Sequence, residues 1–142
     1  MENEQTQMLT VSVNINQSLD VVWDTWNDEN QMANWMFISD EYEVMNPKND
    51  LTIGGGYSYS MVSKDGGFNF EYSGTYTHID FMKYITFELK DGRGVEVVFS
   101  VIEDYVNIEM RFEAVAEQDT DVQVIGWQAL LVNFKNLVEK IA

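Results

Sequence analysis

The chain has 142 residues, of which 45% are hydrophobic and 13% aromatic, and this length and composition suit one globular domain, residues 1–142. It carries 24 acidic and eight basic residues, and the net charge of −16 makes nucleic acid and anionic membranes poor partners. No cysteine is present, which excludes disulfides, thiol catalysis and cysteine-ligated metal sites.

The first part of the chain predicts one strand followed by two short helices. Alternating apolar residues over Met8–Ile15 are typical of a strand. Ser18 has the position of a helix N-cap. Asp28 begins a second short helix, with Gln31 at capping-box distance. The apolar stripe of the first helix consists of Leu19, Val22, Trp23 and Trp26.

From Tyr42 onward the apolar pattern has a period of two residues. The first of these strands is expected to end at Pro47, which has no N–H for the ladder. Glycines at residues 54–56 allow a sharp turn, and residues 64–67 (KDGG) are typical of a hairpin. About six antiparallel strands with one solvated face follow from this pattern. The strand after the hairpin is predicted to place on one face Phe68, Phe70, Tyr72, Gly74, Tyr76 and His78.

The last segment, residues 120–142, predicts a long amphipathic helix. Thr120 and Gln123 have the spacing of a capping box. An apolar face this wide must pack on the preceding sheet. The predicted face consists of Val122, Trp127, Leu130, Leu131, Phe134, Leu137, Val138 and Ile141.

Four short motifs are ordered along the chain as in a known family. The first contains tryptophans of the predicted helix pair, and the second contains glycines before an aromatic strand. The other two are a glycine–tyrosine–acid strand end and a glycine–tryptophan pair that begins the last helix. The motifs are Val22-Trp23 with Trp35, Ile53-Gly54-Gly55-Gly56, residues 74–80 (GTYTHID) and Gly126-Trp127.

The element order, strand, two helices, about six strands and a long helix, is that of an α+β protein. It resembles the helix-grip fold of START lipid-transfer domains, birch-pollen allergens and polyketide cyclases (the SRPBCC superfamily). Within that superfamily the motifs most resemble the family named after the activator of the heat-shock-protein ATPase. The resemblance implies a curved antiparallel sheet wrapped around the C-terminal helix. The chain departs from the family pattern in the turn after Asp80, where Phe81-Met82 replaces the usual proline and offers a possible contact surface.

Tyrosine hydroxyls among apolar walls suit an apolar or aromatic ligand, because they orient it through few polar contacts. The inner face of such a sheet and the helix above it would bring many aromatic residues together. Dry packing alone is an alternative for each of these residues. The candidate ligand contacts are Trp35, Tyr57, Tyr59, Met61, Phe70, Tyr72, Tyr76, Phe99, Trp127, Leu130, Leu131 and Phe134.

Chemistry at this site has one weak candidate. His78 is the single histidine and is in phase with Tyr76, so it is a possible inward-facing general base, oriented by Asp80 or Glu88. No metal motif, phosphate loop or nucleophile elbow is recognisable, and we expect no metal and no cofactor.

Three functions therefore remain open at the sequence level. The first is non-enzymatic binding of an apolar or aromatic small molecule in a cavity between sheet and helix. The second is a protein-interaction module, chaperone-related by family resemblance, with a protein partner or a homodimer. The third is a cyclase- or hydrolase-type enzyme that uses His78. The sequence shows no signal peptide and no apolar stretch of membrane-spanning length, so a cytoplasmic location is expected.

Overall fold

A computed structural model describes residues 7–141 and shows a seven-stranded antiparallel sheet against which one long helix packs. The strands are β1 (Met8–Ile15), β2 (Tyr42–Asn49), β3 (Gly56–Ser63), β4 (Asn69–Asp80), β5 (Tyr84–Leu89), β6 (Gly94–Ile102) and β7 (Tyr105–Glu113). The helices are α1 (Leu19–Asn27), a 3₁₀ helix (Glu29–Asn34) and α2 (Thr120–Val138).

The sheet has the order β1-β7-β6-β5-β4-β3-β2, so strands β2 to β7 form a meander and β1 is added beside β7. The curved sheet around a C-terminal helix confirms the predicted α+β, helix-grip class. The core lies between the concave face of the sheet and α2. Ile15, Phe112, Leu131, Phe134 and Val138 are completely buried there. Each contributes about 1.5–3 kcal/mol relative to an exposed side chain.

The two short helices form where the sequence predicts them, but their ends differ in detail. Ser18 is the N-cap residue of α1, yet its side chain makes no capping hydrogen bond. The second helix is a 3₁₀ helix, and the Asp28 carboxylate accepts a hydrogen bond from the Asn30 backbone N–H at 2.9 Å. Gln31 does not complete a capping box, because its side-chain oxygen accepts from Asn34.

Pro47 does not end β2, contrary to the sequence expectation. The pairing with β3 shifts register between Met45 and Lys48, and Asn46 has a φ of +54°. This bulge accommodates the missing N–H of Pro47, which is tolerated because β2 is an edge strand.

The ends of α2 also differ from the expectation. Asp119, rather than Thr120, is the N-cap, and its carboxylate accepts from the Asp121 backbone N–H at 2.8 Å. The helix ends at Val138, and Ala142 lies outside the described residues. Val122, predicted to face the sheet, is 61% exposed. The firmly packed part of α2 is therefore its C-terminal half.

Helix α2 also covers the outer edge of β1. Gln128 Nε2 donates to the Ser12 carbonyl at 3.0 Å, and Lys135 Nζ donates to the Asn14 carbonyl at 2.7 Å. The Glu139 carboxylate accepts from the Asn16 backbone N–H at 2.8 Å. These side chains satisfy backbone groups that an exposed edge strand would leave unpaired.

Gly56 is required by the close approach of β3 to β4. A Cβ atom at this position would overlap the Gly74 carbonyl oxygen, which belongs to backbone that cannot move away freely. We expect Gly56→Ala to lower the free energy of unfolding by about 1–3 kcal/mol. Urea denaturation measures this change. Gly126→Ala is the matched control, since a Cβ there meets no atom within 4 Å. The control should raise stability by about 0.5–1 kcal/mol because glycine is unfavourable inside a helix. Equal effects of the two substitutions would contradict this account.

Candidate ligand-binding site

A cavity of about 740 Å³ lies between the first half of α2 and the concave face of the sheet. Its walls come from β3, β4 and β5, from the residues around the 3₁₀ helix, and from the inner side of α2. Its mouth lies at the sheet end that carries the β5–β6 turn and the β7–α2 loop. Phe70 and Val122, at 50% and 61% exposure, stand at this mouth.

Most of the ligand contacts predicted from the sequence line this cavity. They are Trp35, Tyr57, Tyr59, Met61, Phe70, Tyr72, Tyr76, Trp127 and Leu130. The exceptions are Phe99, Leu131 and Phe134, which lie in the packed core. Phe99 packs edge-on against Trp23, and Phe134 against Trp26 and Trp35, with ring centroids 5.0–5.1 Å apart. Residues of α1 pack beside these side chains, which therefore lie in the core and not on the cavity wall. This location corrects the prediction that they contact the ligand.

Several wall residues are absent from the predicted ligand contacts. Trp26 belongs to the apolar stripe predicted for α1, and that stripe is the signal for it in the sequence. Arg93 lies in a turn and had no signal at all. The additional wall residues include Trp26, Met32, Met36, Asn49, Phe87, Arg93, Met110 and Gln123.

The sheet side of the cavity is a series of neighbouring tyrosine rings. Tyr59 is stacked with Tyr57 and with Tyr72, at centroid distances of 6.3 and 5.5 Å. Gly74 makes room for this arrangement, since a Cβ there would lie 2.5 Å from the Tyr57 ring and 2.9 Å from the Phe87 ring. The glycine thus lets two aromatic rings meet over the strand backbone.

The hydroxyls of these tyrosines differ in their partners. Tyr76 donates to Asn49 Oδ1 at 2.6 Å, and Asn49 Nδ2 donates in turn to the Asn27 carbonyl at 2.8 Å. Within residues 7–141 the hydroxyls of Tyr57, Tyr59 and Tyr72 make no hydrogen bond to protein, and none of them is sealed off. They therefore face the open space of the cavity.

Burial makes these phenols harder to ionise. It raises the pKa of Tyr57, Tyr59, Tyr72 and Tyr76 above that of a free tyrosine. For Tyr57 the neighbouring Tyr59 and Tyr76 raise the pKa further, while the Arg93 charge lowers it in part. The cavity wall is consequently lined by neutral hydroxyls at physiological pH.

Two of the charged groups at the mouth, Arg93 and Asp91, are paired with each other. Arg93 Nε donates to the Asp91 carboxylate at 2.8 Å, and Arg93 Nη1 donates to the Glu113 carbonyl at 3.0 Å. Burial opposes ionisation of Asp91, but the hydrogen bonds and charge of Arg93 outweigh it and lower the pKa of Asp91. The Arg93 guanidinium is therefore already engaged at this end of the cavity.

Gln123 closes the cavity at the start of α2 through its buried amide. Its Oε1 accepts from the Val115 backbone N–H at 2.8 Å, and its Nε2 donates to the carbonyls of Val115 and Gln118 at 3.1 and 3.2 Å. The side chain binds the β7–α2 loop to the helix instead of forming the predicted capping box.

His78 does not face the cavity, and its predicted inward orientation is wrong. The β4–β5 register shifts between Tyr76 and His78, so the alternation changes phase after Tyr76. Ile79 packs on the core, whereas His78 is exposed, with its ring 5.2 Å from that of Tyr84. Neither Asp80 nor Glu88 forms a hydrogen bond with His78 in the described chain. The proposed general base is thus outside the site.

Phe81 and Met82 behave differently from each other. Phe81 is 68% exposed, although its ring lies edge-on to that of Trp23 at 5.7 Å. Met82 has a φ of +64° and packs against the core. Only Phe81 therefore presents an apolar surface to solvent.

No group of three or more histidine, cysteine, aspartate or glutamate side chains in residues 7–141 is arranged to hold a metal ion.

None of the helices described is long and apolar enough to cross a membrane.

Comparison with known proteins gives a family match and many structural matches. A family model described as Activator of Hsp90 ATPase homolog 1-like protein matches residues 16–139. An AHSA1-like protein from Aeromonas hydrophila is 32% identical with a TM-score of 0.84, and the match covers 92% of each chain. A protein from Cytophaga hutchinsonii is 33% identical with a TM-score of 0.81, covering 92% of this chain and 90% of the other.

More distant structures share the fold alone. A Chromobacterium violaceum protein is 15% identical with a TM-score of 0.81, covering 94% of this chain and 98% of the other. No curated protein matches the chain. Since 190 chains of solved structures match, the fold does not by itself identify a ligand.

Removal of the Gln123 amide should loosen the cavity's closure. Gln123→Ala leaves the Val115 backbone groups without their partner, so we expect the free energy of unfolding to fall by about 1–3 kcal/mol. Urea denaturation measures this loss. Gln128→Ala is the control, because Gln128 is also on α2 but makes one exposed hydrogen bond. A loss no larger than that of the control would contradict the role of Gln123.

The raised pKa values of the cavity tyrosines predict alkaline destabilisation. Above pH about 10 the phenols ionise in the unfolded chain but not in the cavity, so the free energy of unfolding falls as pH rises. Below that pH their contribution is fully present. In an alkaline pH titration, the last tyrosines to ionise should therefore do so as the far-ultraviolet circular dichroism signal is lost. The increase in phenolate absorbance at this step should be smaller in Tyr59→Phe. Complete tyrosine ionisation before loss of the dichroism signal would refute this expectation.

Proposed function

The chain belongs to the family of Activator of Hsp90 ATPase homolog 1-like proteins, and from this premise we propose that it binds an apolar or aromatic small molecule without catalysing a reaction. The ligand would lie between the tyrosines of the sheet and the first half of α2. The observation that carries the proposal is a cavity of about 740 Å³ with tyrosine hydroxyls that have no protein partner.

The size and the lining of the cavity both support this function. Pockets for small molecules commonly measure about 300–1,000 Å³ and have apolar walls with few polar groups. A chain selected only for stability would be expected to fill such a space, because each Å³ of core cavity lowers stability by about 24 cal/mol. A ligand that packs against the rings would fill the empty volume, and hydrogen bonds to the ligand would satisfy the unpaired tyrosine hydroxyls.

The polar groups of the cavity favour binding over catalysis. His78 follows the register shift in β4 and is exposed outside the cavity. Asp91 is engaged by Arg93. Glu71 lies at the exposed mouth. A general acid–base mechanism needs a titratable group within hydrogen-bonding distance of the reacting atom, and the inner wall offers phenols that stay protonated.

A protein-interaction module is the second candidate function. Ile53 and Phe81, at 67% and 68% exposure, lie in the β2–β3 and β4–β5 turns at the sheet end opposite the cavity mouth. Exposed apolar side chains of this kind suit a protein partner or a second copy of the chain. The family description suggests a chaperone-related partner. The cytoplasmic location stays a prediction of the sequence.

Gly126 offers a direct test of the binding function. It lines the cavity, and a Cβ there points into open space, so Gly126→Phe should fill the cavity without a backbone clash. We expect at least about tenfold weaker binding of the fluorescent probe 1-anilinonaphthalene, an uncharged aromatic molecule, with thermal stability unchanged or higher. Gly126→Ala should bind it as the unmodified chain does.

Native mass spectrometry of freshly purified protein supplies an independent measurement. A small molecule retained by the unmodified chain should be absent from Gly126→Phe. Equal probe binding by Gly126→Phe and Gly126→Ala would contradict the proposed site. Ile53→Ser and Phe81→Ser should leave probe binding unchanged, because these residues belong to the surface of the proposed protein-interaction function and not to the cavity.

A further inference from the structure

The free hydroxyls of the cavity's inner wall carry no formal charge. Tyr57, Tyr59 and Tyr72 present hydroxyls to the open space. The Tyr76 hydroxyl is bonded to Asn49, and the amide of Gln123 is fully used by the β7–α2 loop. A bound ligand therefore meets phenol groups, each of which can donate one hydrogen bond and accept others.

Within residues 7–141 two cationic side chains line the cavity, and the one beside the tyrosines, Arg93, is already neutralised. Arg93 is close enough to Tyr57 to affect its titration, but its guanidinium is held by the Asp91 carboxylate at 2.8 Å. Lys90 lies at the mouth and is exposed to solvent, as is Glu71. An anionic group that entered the cavity would leave water without gaining an unpaired cation, and burial of an unpaired charge is costly.

The charge of the whole chain acts in the same direction. With 24 acidic and eight basic residues the chain creates a negative field that repels anions before they reach the mouth. The field is reduced by salt, whereas the cost of desolvation inside the cavity is not. The two contributions can therefore be separated by experiment.

On the premise of the proposed function, we propose that the cavity selects uncharged ligands over anionic ones, because Asp91 holds the Arg93 guanidinium beside the tyrosines and Lys90 lies in solvent at the mouth. The preferred class is a flat apolar body with one or two neutral oxygen or nitrogen groups that bond to the tyrosine hydroxyls. Fatty acids and aromatic carboxylates or sulfonates are disfavoured.

A matched pair of probes tests this selection. 1-Anilinonaphthalene and its 8-sulfonate have the same ring system, and both fluoresce more strongly in an apolar site. We expect the sulfonate to bind at least about tenfold more weakly in about 10 mM salt. The difference should become smaller in about 1 M salt but persist, because desolvation is not screened.

The variant Asp91→Asn tests the role of the ion pair. It removes the carboxylate that holds Arg93, so the sulfonate should bind more tightly relative to the neutral probe. The ratio of neutral-probe affinity to sulfonate affinity should fall by at least about threefold. Asp24→Asn, on the exposed side of α1 and outside the cavity wall, removes the same charge and should change the ratio much less. The sulfonate's extra bulk is the same for both variants, so narrowing in Asp91→Asn alone excludes a purely steric cause.

The outcomes separate this inference from the function on which it rests. Sulfonate binding as tight as that of the neutral probe, or equal responses of Asp91→Asn and Asp24→Asn, overturns the charge selection and leaves the binding function intact. If neither probe binds and the purified protein retains no small molecule, the binding function itself is refuted, and the selection with it.

Discussion

The uneven packing of α2 on the sheet is the constraint on which the rest of the structure depends. Leu131, Phe134 and Val138 in its second half are completely buried, while Val122 and Ile125 in its first half are more than half exposed. One end of the helix is thus held by apolar contacts and the other by the amide of Gln123. This difference leaves a cavity under the first half and a solid core under the second.

The cavity gains its chemical character from residues that serve the sheet as well. Tyr57 and Tyr59 alternate along β3 as any half-buried strand requires, and Gly74 on β4 permits the Tyr57 and Phe87 rings to meet. Because the space under α2 is not filled by other side chains, the hydroxyls of these rings face the interior without protein partners. Burial keeps them protonated. The inner wall is accordingly apolar with neutral hydroxyls, within a chain of strongly negative charge.

The architecture and much of the cavity wall could be predicted from the sequence, because each depends on short-range periodicity. Period-two alternation located β3 and β4, and apolar spacing located α1 and α2. Features that depend on pairing between strands could not be predicted in this way. The bulge that turns His78 outward is set by the register of β4 against β5, and no local pattern records that register. Pro47 likewise stays in β2 because the strand is an edge.

The division of one apolar face between core and cavity was also beyond the sequence. Phe99 and Leu130 both belong to inner faces, yet Phe99 packs under α1 and Leu130 lines the open space. The distinction depends on where α1 crosses the sheet. The role of Gln123 depends similarly on the conformation of the loop that precedes α2.

The treatment of the two sheet edges has a consequence for association with other chains. The β1 edge has its Ser12 and Asn14 carbonyls occupied by side chains of α2, and the β2 edge is interrupted by the bulge at Asn46 and by Pro47. A peptide that docks by β-augmentation needs a continuous row of free N–H and C=O groups. Neither edge provides such a row, so recognition by an eighth strand is disfavoured, and the same features protect the protein from strand-mediated polymerisation.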